Sequence, residues 1–128
     1  MTTIVLDASA VLAVVRGEPG ADLIGRHVGS ATISAVNLQE VYKELLDQGL
    51  DAETASDTVA ALDLEVMSHG EGDAMGSARL ASATKRFGRG LGDRSCMALA
   101  IRLGVPALTT DRAWAKLDVA GLQVIVAR

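Results

Sequence analysis

Four carboxylates, Asp7, Glu40, Asp93 and Asp111, lie far apart in the chain, yet each follows an apolar run or opens the first turn of an expected helix. In an open parallel sheet the ligand crevice lies outside the carboxyl ends of the strands, where such turns converge. Carboxylates gathered there supply the oxygen ligands that hard divalent cations such as Mg²⁺ or Mn²⁺ prefer, and they leave positions for water and phosphate. Without a cation they would repel one another, and some would take up protons. The pattern therefore points to a metal site, with all four acids as candidate ligands and catalytic groups.

Each acid also has a plain structural reading. Asp7 can cap the helix after the first strand and share that task with Ser9. Asn37 and Glu40 match the spacing of a capping box. Asp93 and Asp111 stand where the N-caps of the following helices belong. What sets the four apart is their joint position, because three of them fall where strand ends and helix N-termini meet on one rim. Ser, Thr or Asn would cap equally well.

The elements that must position these residues follow from hydrophobic patterning. Thr3 to Leu6 is a continuous apolar and β-branched run, expected as a strand buried on both faces. Asp7-Ala8-Ser9 is its turn, and a short helix runs through Val15. Ala31 to Val36 is a second strand, and Asn37 opens a helix whose stripe of Leu38, Val41, Tyr42, Leu45 and Leu46 faces the core. Gly49 ends it, and Asp51 starts a partner helix to about Leu62, so Asn37 to Leu62 forms a helical hairpin. Leu64 to Met67 is the third strand, followed by an Ala-rich helix from Asp73 to Arg86. Gly88 to Gly92 leads to Asp93 and to the buried helix Arg94 to Leu103, closed by Gly104. Ala107 to Thr109 and Leu122 to Val126 complete the strands, with a short helix from Asp111 between them. Alternating strands and helices imply an α/β fold with a parallel sheet covered on both faces.

The composition bounds what such a site belongs to. The chain has 128 residues, nearly half of them apolar, which suffices for one domain with a real core. The formal charge is -4, and of 16 acidic residues the four candidates equal the whole excess over the 12 Lys and Arg. A single cysteine, Cys96, excludes an intrachain disulfide and a cysteine zinc cluster, and it is expected in the core. His27 and His69 lack metal-ligand spacing. Gly88 to Gly92 is neither a P-loop nor a dinucleotide fingerprint. No run reaches about 18 uncharged apolar residues, and the N-terminus lacks the basic start of a signal peptide, so a cytoplasmic protein with no membrane span is expected.

The segments IVLDASAVLAVV, ISAVNLQEVYKEL, LGDRSCMALAIRLGVPALTTDRAW and LQVIVAR occur in this order over the whole length. In this the chain resembles the PIN-domain ribonucleases, and most closely the VapC-type toxins of bacterial toxin-antitoxin pairs. The resemblance implies a single α/β/α PIN-like nuclease domain over residues 1–128, with a central parallel sheet of about four to five strands and a helical hairpin. It also implies Mg²⁺-dependent endoribonuclease activity, with Mn²⁺ as a substitute, and neutralisation by a cognate antitoxin. Carried over by residue, the family's acids fall on Asp7, Glu40, Asp93 and Asp111, with Ser9 and Thr110 as hydroxyl partners. Asp7 and Asp93 match the most direct metal ligands. A homodimer is expected, with the hairpin as one wall of the antitoxin groove.

A carboxylate-held Mg²⁺ lowers the pKa of a bound water and stabilises charge on the phosphoryl oxygens. Glu40 or Asp111 could take the proton from that water, while Ser9 and Thr110 fix the ligand carboxylates. RNA approaching an acidic protein needs a local positive rim, and Lys85, Arg86, Arg89 and Arg94 are the candidates for phosphate contacts. The only aromatics are Tyr42, Phe87 and Trp114, so stacking platforms are not expected, and Phe87 and Trp114 are assigned to the core.

Two rivals come from other classes. A phosphoacceptor receiver domain shares the parallel sheet and acidic pocket, but it needs paired acids after the first strand, an Asp after the third and a Lys after the fifth. Here Asp7 stands alone, Ser68-His69 follows the third strand, and no Lys follows Val126. The second rival is a non-catalytic module that uses the same fold only to dock a partner.

Overall fold

The computed structural model describes residues 2–88 and 90–128. Strand β1 (Ile4–Leu6) is buried at every position, as a strand covered on both faces must be. It pairs in parallel with β2 (Ala31–Ser34) on one side and with β4 (Ala107–Thr109) on the other. β3 (Glu65–Met67) adds beyond β2, and β5 (Val124–Val126) beyond β4, both parallel. The five-stranded order is β3-β2-β1-β4-β5. The chain therefore builds outward from β1 to one edge and returns to lay β4 on the opposite side of β1. The order reverses between β1 and β4, and this is the switch point at which parallel sheets open a ligand crevice. Receiver domains have the order 2-1-3-4-5 instead, which removes that alternative.

Helix α1 (Ala8–Arg16) buries Ala10 to Ala13 and ends at Gly17, whose left-handed backbone returns its N–H to the carbonyls of Ala13 and Val14. α2 (Ala21–Gly25) and a 3-10 turn at Val28–Ser30 follow. Both lack a counterpart in the expected elements, being too short to show a helical period. The hairpin is formed by α3 (Ala35–Asp47) and α4 (Ala52–Ala60), the latter capped by Asp51, whose side chain accepts from the Thr54 N–H at 2.8 Å. α5 (Glu71–Arg79) lies against α6 (Leu91–Leu103).

The sheet separates two apolar clusters. Ile4, Leu6 and Ile33 meet α1, Ile24 and the hairpin on one side, while Val5 and Ala107 meet Cys96, Met97, Leu99 and Trp114 on the other. This is the alternation of strand side chains between a sheet's two faces. The result is the expected α/β/α arrangement.

Several boundaries differ from the expected ones. β2 stops at Ser34, whose hydroxyl accepts from the Val36 N–H at 3.2 Å and starts α3 three residues earlier than Asn37. Leu46, assigned to the core stripe, is 47% exposed. The helix expected over Asp73 to Arg86 begins at Glu71 and ends at Arg79. α6 starts at Leu91, so Asp93 lies inside its first turn and is not its N-cap.

Candidate metal centre

Asp7 leaves β1 in an extended conformation and caps α1, as its sequence position suggests, but its side chain is almost fully enclosed, at 5% exposure. Oδ1 accepts from the Ser9 hydroxyl at 2.7 Å and from the Ala10 N–H at 2.9 Å. Oδ2 accepts from the Thr109 hydroxyl at 2.7 Å. Thr109 Oγ1 in turn accepts the Asp111 N–H at 3.0 Å, and Ser9 Oγ accepts the Thr110 N–H at 3.1 Å. These bonds lace the end of β1 to the end of β4 at the switch point. Burial pushes Asp7 up to about 6, although its three hydrogen bonds pull the other way and the charge of Asp93 adds to the rise.

On the neighbouring side, Asn37 joins α3 to α6. Its amide Nδ2 donates to Glu40 Oε1 at 2.8 Å and to the Gly92 carbonyl at 2.9 Å. Asn37 is therefore a buried bridge at the third position of α3, and the capping-box reading of Asn37 and Glu40 does not hold. Its Oδ1 is buried without a partner. A Cβ on Gly92 would fall inside the Glu40 carboxylate, so the carboxylate keeps its present place against α6 only while residue 92 is glycine. Partial burial raises the Glu40 pKa, against its bond from Asn37, with Asp93 and Glu44 contributing to the rise.

Asp93 Oδ2 accepts the Gly90 N–H at 3.3 Å, returning one turn to the start of its own helix. Burial raises its pKa, the Gly90 bond opposes the rise, Asp111 adds to it, and Arg94 counters it. Asp111 is exposed and caps the 3-10 turn Arg112–Lys116 through the Ala113 N–H at 2.9 Å.

The four acids thus influence one another across a common rim, and among the described residues none forms an ion pair. They do not close on a point: among the described residues, no three His, Cys, Asp or Glu side chains stand so as to hold a metal ion. Like charges keep their distance, and the set is an open rim of hard oxygen donors. Donor type and uncompensated charge fit a divalent cation such as Mg²⁺. Cys96, beneath the rim, is fully buried, and burial together with the charges of Asp7, Asp93 and Glu40 pushes its thiol far up, so it remains an inert core residue.

Two members of this network escaped the sequence reading. Thr109 supplies the hydroxyl that holds Asp7, whereas Thr110, chosen for its position beside Asp111, contributes its backbone N–H to Ser9. Asn37, expected as a cap, works as a bridge. Of the basic candidates, Lys85 and Arg86 are exposed and Arg94 is half-buried, while Arg89 lies outside the described residues. Arg94 borders a groove of about 410 Å³ lined by Val36, His69, Ser77 and Leu91, next to the rim. Trp114 is core, at 1% exposure. Phe87 is not: it is half-exposed, between Arg86 and Lys116.

The chain shares its fold with proteins of known structure. It resembles VapBC2 of Rickettsia felis, solved with a promoter DNA fragment, with a TM-score of 0.75 at 12% identity over 99% of this chain and 100% of the other. DNA-bound VapBC of Salmonella typhimurium gives a TM-score of 0.74 at 17% identity, with each chain covered over 100%. VapBC-5 of Mycobacterium tuberculosis gives 0.61 at 21% identity, over 98% of this chain and 99% of the other. At these identities the likeness is one of fold. No curated protein matches in sequence. The PIN domain family does match, over residues 4–120, and the acidic rim lies within that span. The chain belongs to the PIN-domain family.

Proposed function

We propose that this chain is a metal-dependent endoribonuclease that hydrolyses RNA phosphodiester bonds and acts as the toxin of a toxin-antitoxin pair. The observation that carries this reading is the placement of Asp7, Glu40 and Asp93 along one open rim beside the β1/β4 switch point, with the pKa of each raised and no cation paired with them among the described residues. Asp7 and Asp93 would hold Mg²⁺ directly, with Glu40 and Asp111 completing the rim. The ion, when bound, supplies an activated water and charge stabilisation at phosphorus.

The protein's own groups do the positioning. Ser9, Thr109 and the Ala10 amide occupy both oxygens of Asp7 and fix its rotamer. Asn37 holds Glu40 Oε1, leaving Oε2 to accept a proton from the attacking water. The raised pKa of Glu40 places that proton transfer closer to neutral pH than an ordinary glutamate would.

The fold likeness to VapBC complexes supports an antitoxin partner. The hairpin offers a groove of about 330 Å³ lined by Tyr42, Leu46, Ala52, Ala55 and Ser56, with Leu46 exposed as its apolar contact. We assign the antitoxin to this groove, and a homodimer and a cytoplasmic location follow from the same reading. Among the described residues, no helix is long and apolar enough to cross a membrane. The open spacing of the rim favours one second reading, a PIN module that docks a partner without cleaving. Digestion of total cellular RNA separates the two. Wild type is expected to cut in Mg²⁺ and to stop in EDTA, and Asp93→Asn to be inactive; equal cutting by wild type and variant removes the nuclease reading.

A further inference from the structure

Phe87 stands on the loop between α5 and α6, with the Arg86 guanidinium carbon 5.9 Å and Lys116 Nζ 5.3 Å from its ring centroid. Both distances lie within the reach of cation–π attraction. The cations come from segments well separated in sequence, and both side chains are exposed. Among the described residues, neither has a carboxylate oxygen within 4.0 Å. Two like charges thus share one ring with no counter-charge, an arrangement that draws an anion able to span both.

The same segments carry the acids. Lys116 closes the 3-10 turn that Asp111 caps, and Arg86 lies on the loop that delivers Asp93. The pair is thus joined through short stretches of chain to the segments that carry Asp93 and Asp111.

We propose that Arg86 and Lys116, held by Phe87, form a clamp for the phosphate backbone of RNA beside the acidic rim. Phe87 is a positioning residue that fixes the two cations, and Lys116 is the main phosphate contact. The proposal rests on the nuclease reading of the rim. RNA suits the patch better than an acidic peptide does, because one phosphate chain can satisfy the clamp and also present a phosphodiester to a metal on the rim.

The test is binding of a fluorescein-labelled oligouridylate in EDTA at several salt concentrations, using the full chain with Lys116→Gln, Phe87→Leu or, as a control of equal charge change, Arg26→Gln. Lys116→Gln is expected to weaken binding roughly five-fold and to lower the slope of log Kd against log salt by about 0.7, the contribution of one phosphate contact on a single strand. Phe87→Leu should weaken binding with the slope nearly kept, and Arg26→Gln should change neither. Unchanged affinity and slope in Lys116→Gln overturn the clamp, as does failure of the wild type to bind RNA. Loss of poly-glutamate binding with RNA binding intact also overturns it and gives the patch to a protein partner. Cleavage in Mg²⁺ is scored separately: cleavage with unaltered binding by Lys116→Gln removes only the clamp, whereas clamped binding without cleavage removes only the nuclease reading.

Discussion

The Thr109 hydroxyl donates to Asp7 Oδ2 at 2.7 Å in a buried contact that ties the end of β4 to the end of β1. Replacing Thr109 by Val keeps the shape and removes the donor, so Asp7 loses the strongest of the bonds that hold its pKa down. Thr109→Val is expected to reduce metal affinity roughly ten- to a hundred-fold, the usual effect of losing a partner behind a ligand, and Thr109→Ser to restore most of it. Calorimetric titration with Mn²⁺ measures both. Equal affinities for Val and Ser would show that the hydroxyl does not matter.

Asp7 sits at about 6 where an ordinary aspartate sits at 3.8. Between those values the folded chain keeps a proton that the unfolded chain has released, so stability falls as pH rises through the window and stays lowered above it. Glu40 and Asp93 are shifted in the same direction and steepen the fall. In EDTA the melting temperature should therefore drop between about pH 4 and about pH 7. Asp7→Asn should flatten the curve and, above the window, exceed wild type by on the order of 2 kcal/mol. Mg²⁺ or Mn²⁺ should raise the melting temperature more at neutral pH than at acid pH, because the ion needs the deprotonated carboxylates. A wild type that gains stability from pH 4 to pH 7 in EDTA contradicts this account.

Gly92 and Gly72 both lie in the first turn of a helix, yet they should respond differently to alanine. At Gly92 a Cβ strikes the Glu40 carboxylate, whereas at Gly72 it meets nothing within 4 Å. Gly92→Ala is expected to push the flexible Glu40 carboxylate off Asn37 with little loss of stability, and to reduce cleavage. Gly72→Ala should stabilise by up to about 1 kcal/mol, since alanine loses less backbone entropy in a helix. Chemical denaturation of the two variants, with RNA cleavage alongside, decides.

Leu46 is exposed on the hairpin groove and far in sequence from any acid of the rim except Glu40. Leu46→Glu should leave folding and RNA cleavage intact and weaken antitoxin binding at least ten-fold, the scale of a lost apolar anchor. Growth tests with both genes expressed give the readout: the variant should stay toxic where wild type is neutralised. Full neutralisation would move the antitoxin to another surface.

The sheet and its helices were legible because their patterns are strong. Ile4-Val5-Leu6 could scarcely be anything but a covered strand, and Gly104 ends its helix as glycine does. The candidate acids could be named for a similar reason, since Asp7 and Asp111 stand directly after strands or at a cap. What could not be read was which neighbour supports which acid. Thr109 and Thr110 are equivalent as letters, and only the two-residue alternation carried past the strand end favours Thr109 for the side that faces Asp7. Ser34 starts the helix ahead of Asn37, which turns an expected cap into an interior residue. The Gly92 contact with Glu40 joins positions in different helices, and no local pattern reports it. Phe87 has the residue type of a core aromatic, and the two cations that keep it at the surface come from separate segments.

The strand order carries a consequence for the chain during synthesis. β1 is among the first segments made, but the neighbour that completes its Asp7 arrives only with β4, the fourth strand in sequence and the one that lies directly beside central β1. Until β4 inserts, β1 keeps an open edge, and Asp7 lacks Thr109 while Ser9 lacks the amide of Thr110. A nascent or truncated chain ending before residue 107 can pair β1, β2 and β3 but has no finished centre. A partial copy therefore lacks the hydrogen bonds that hold Asp7 until nearly the last strand is in place.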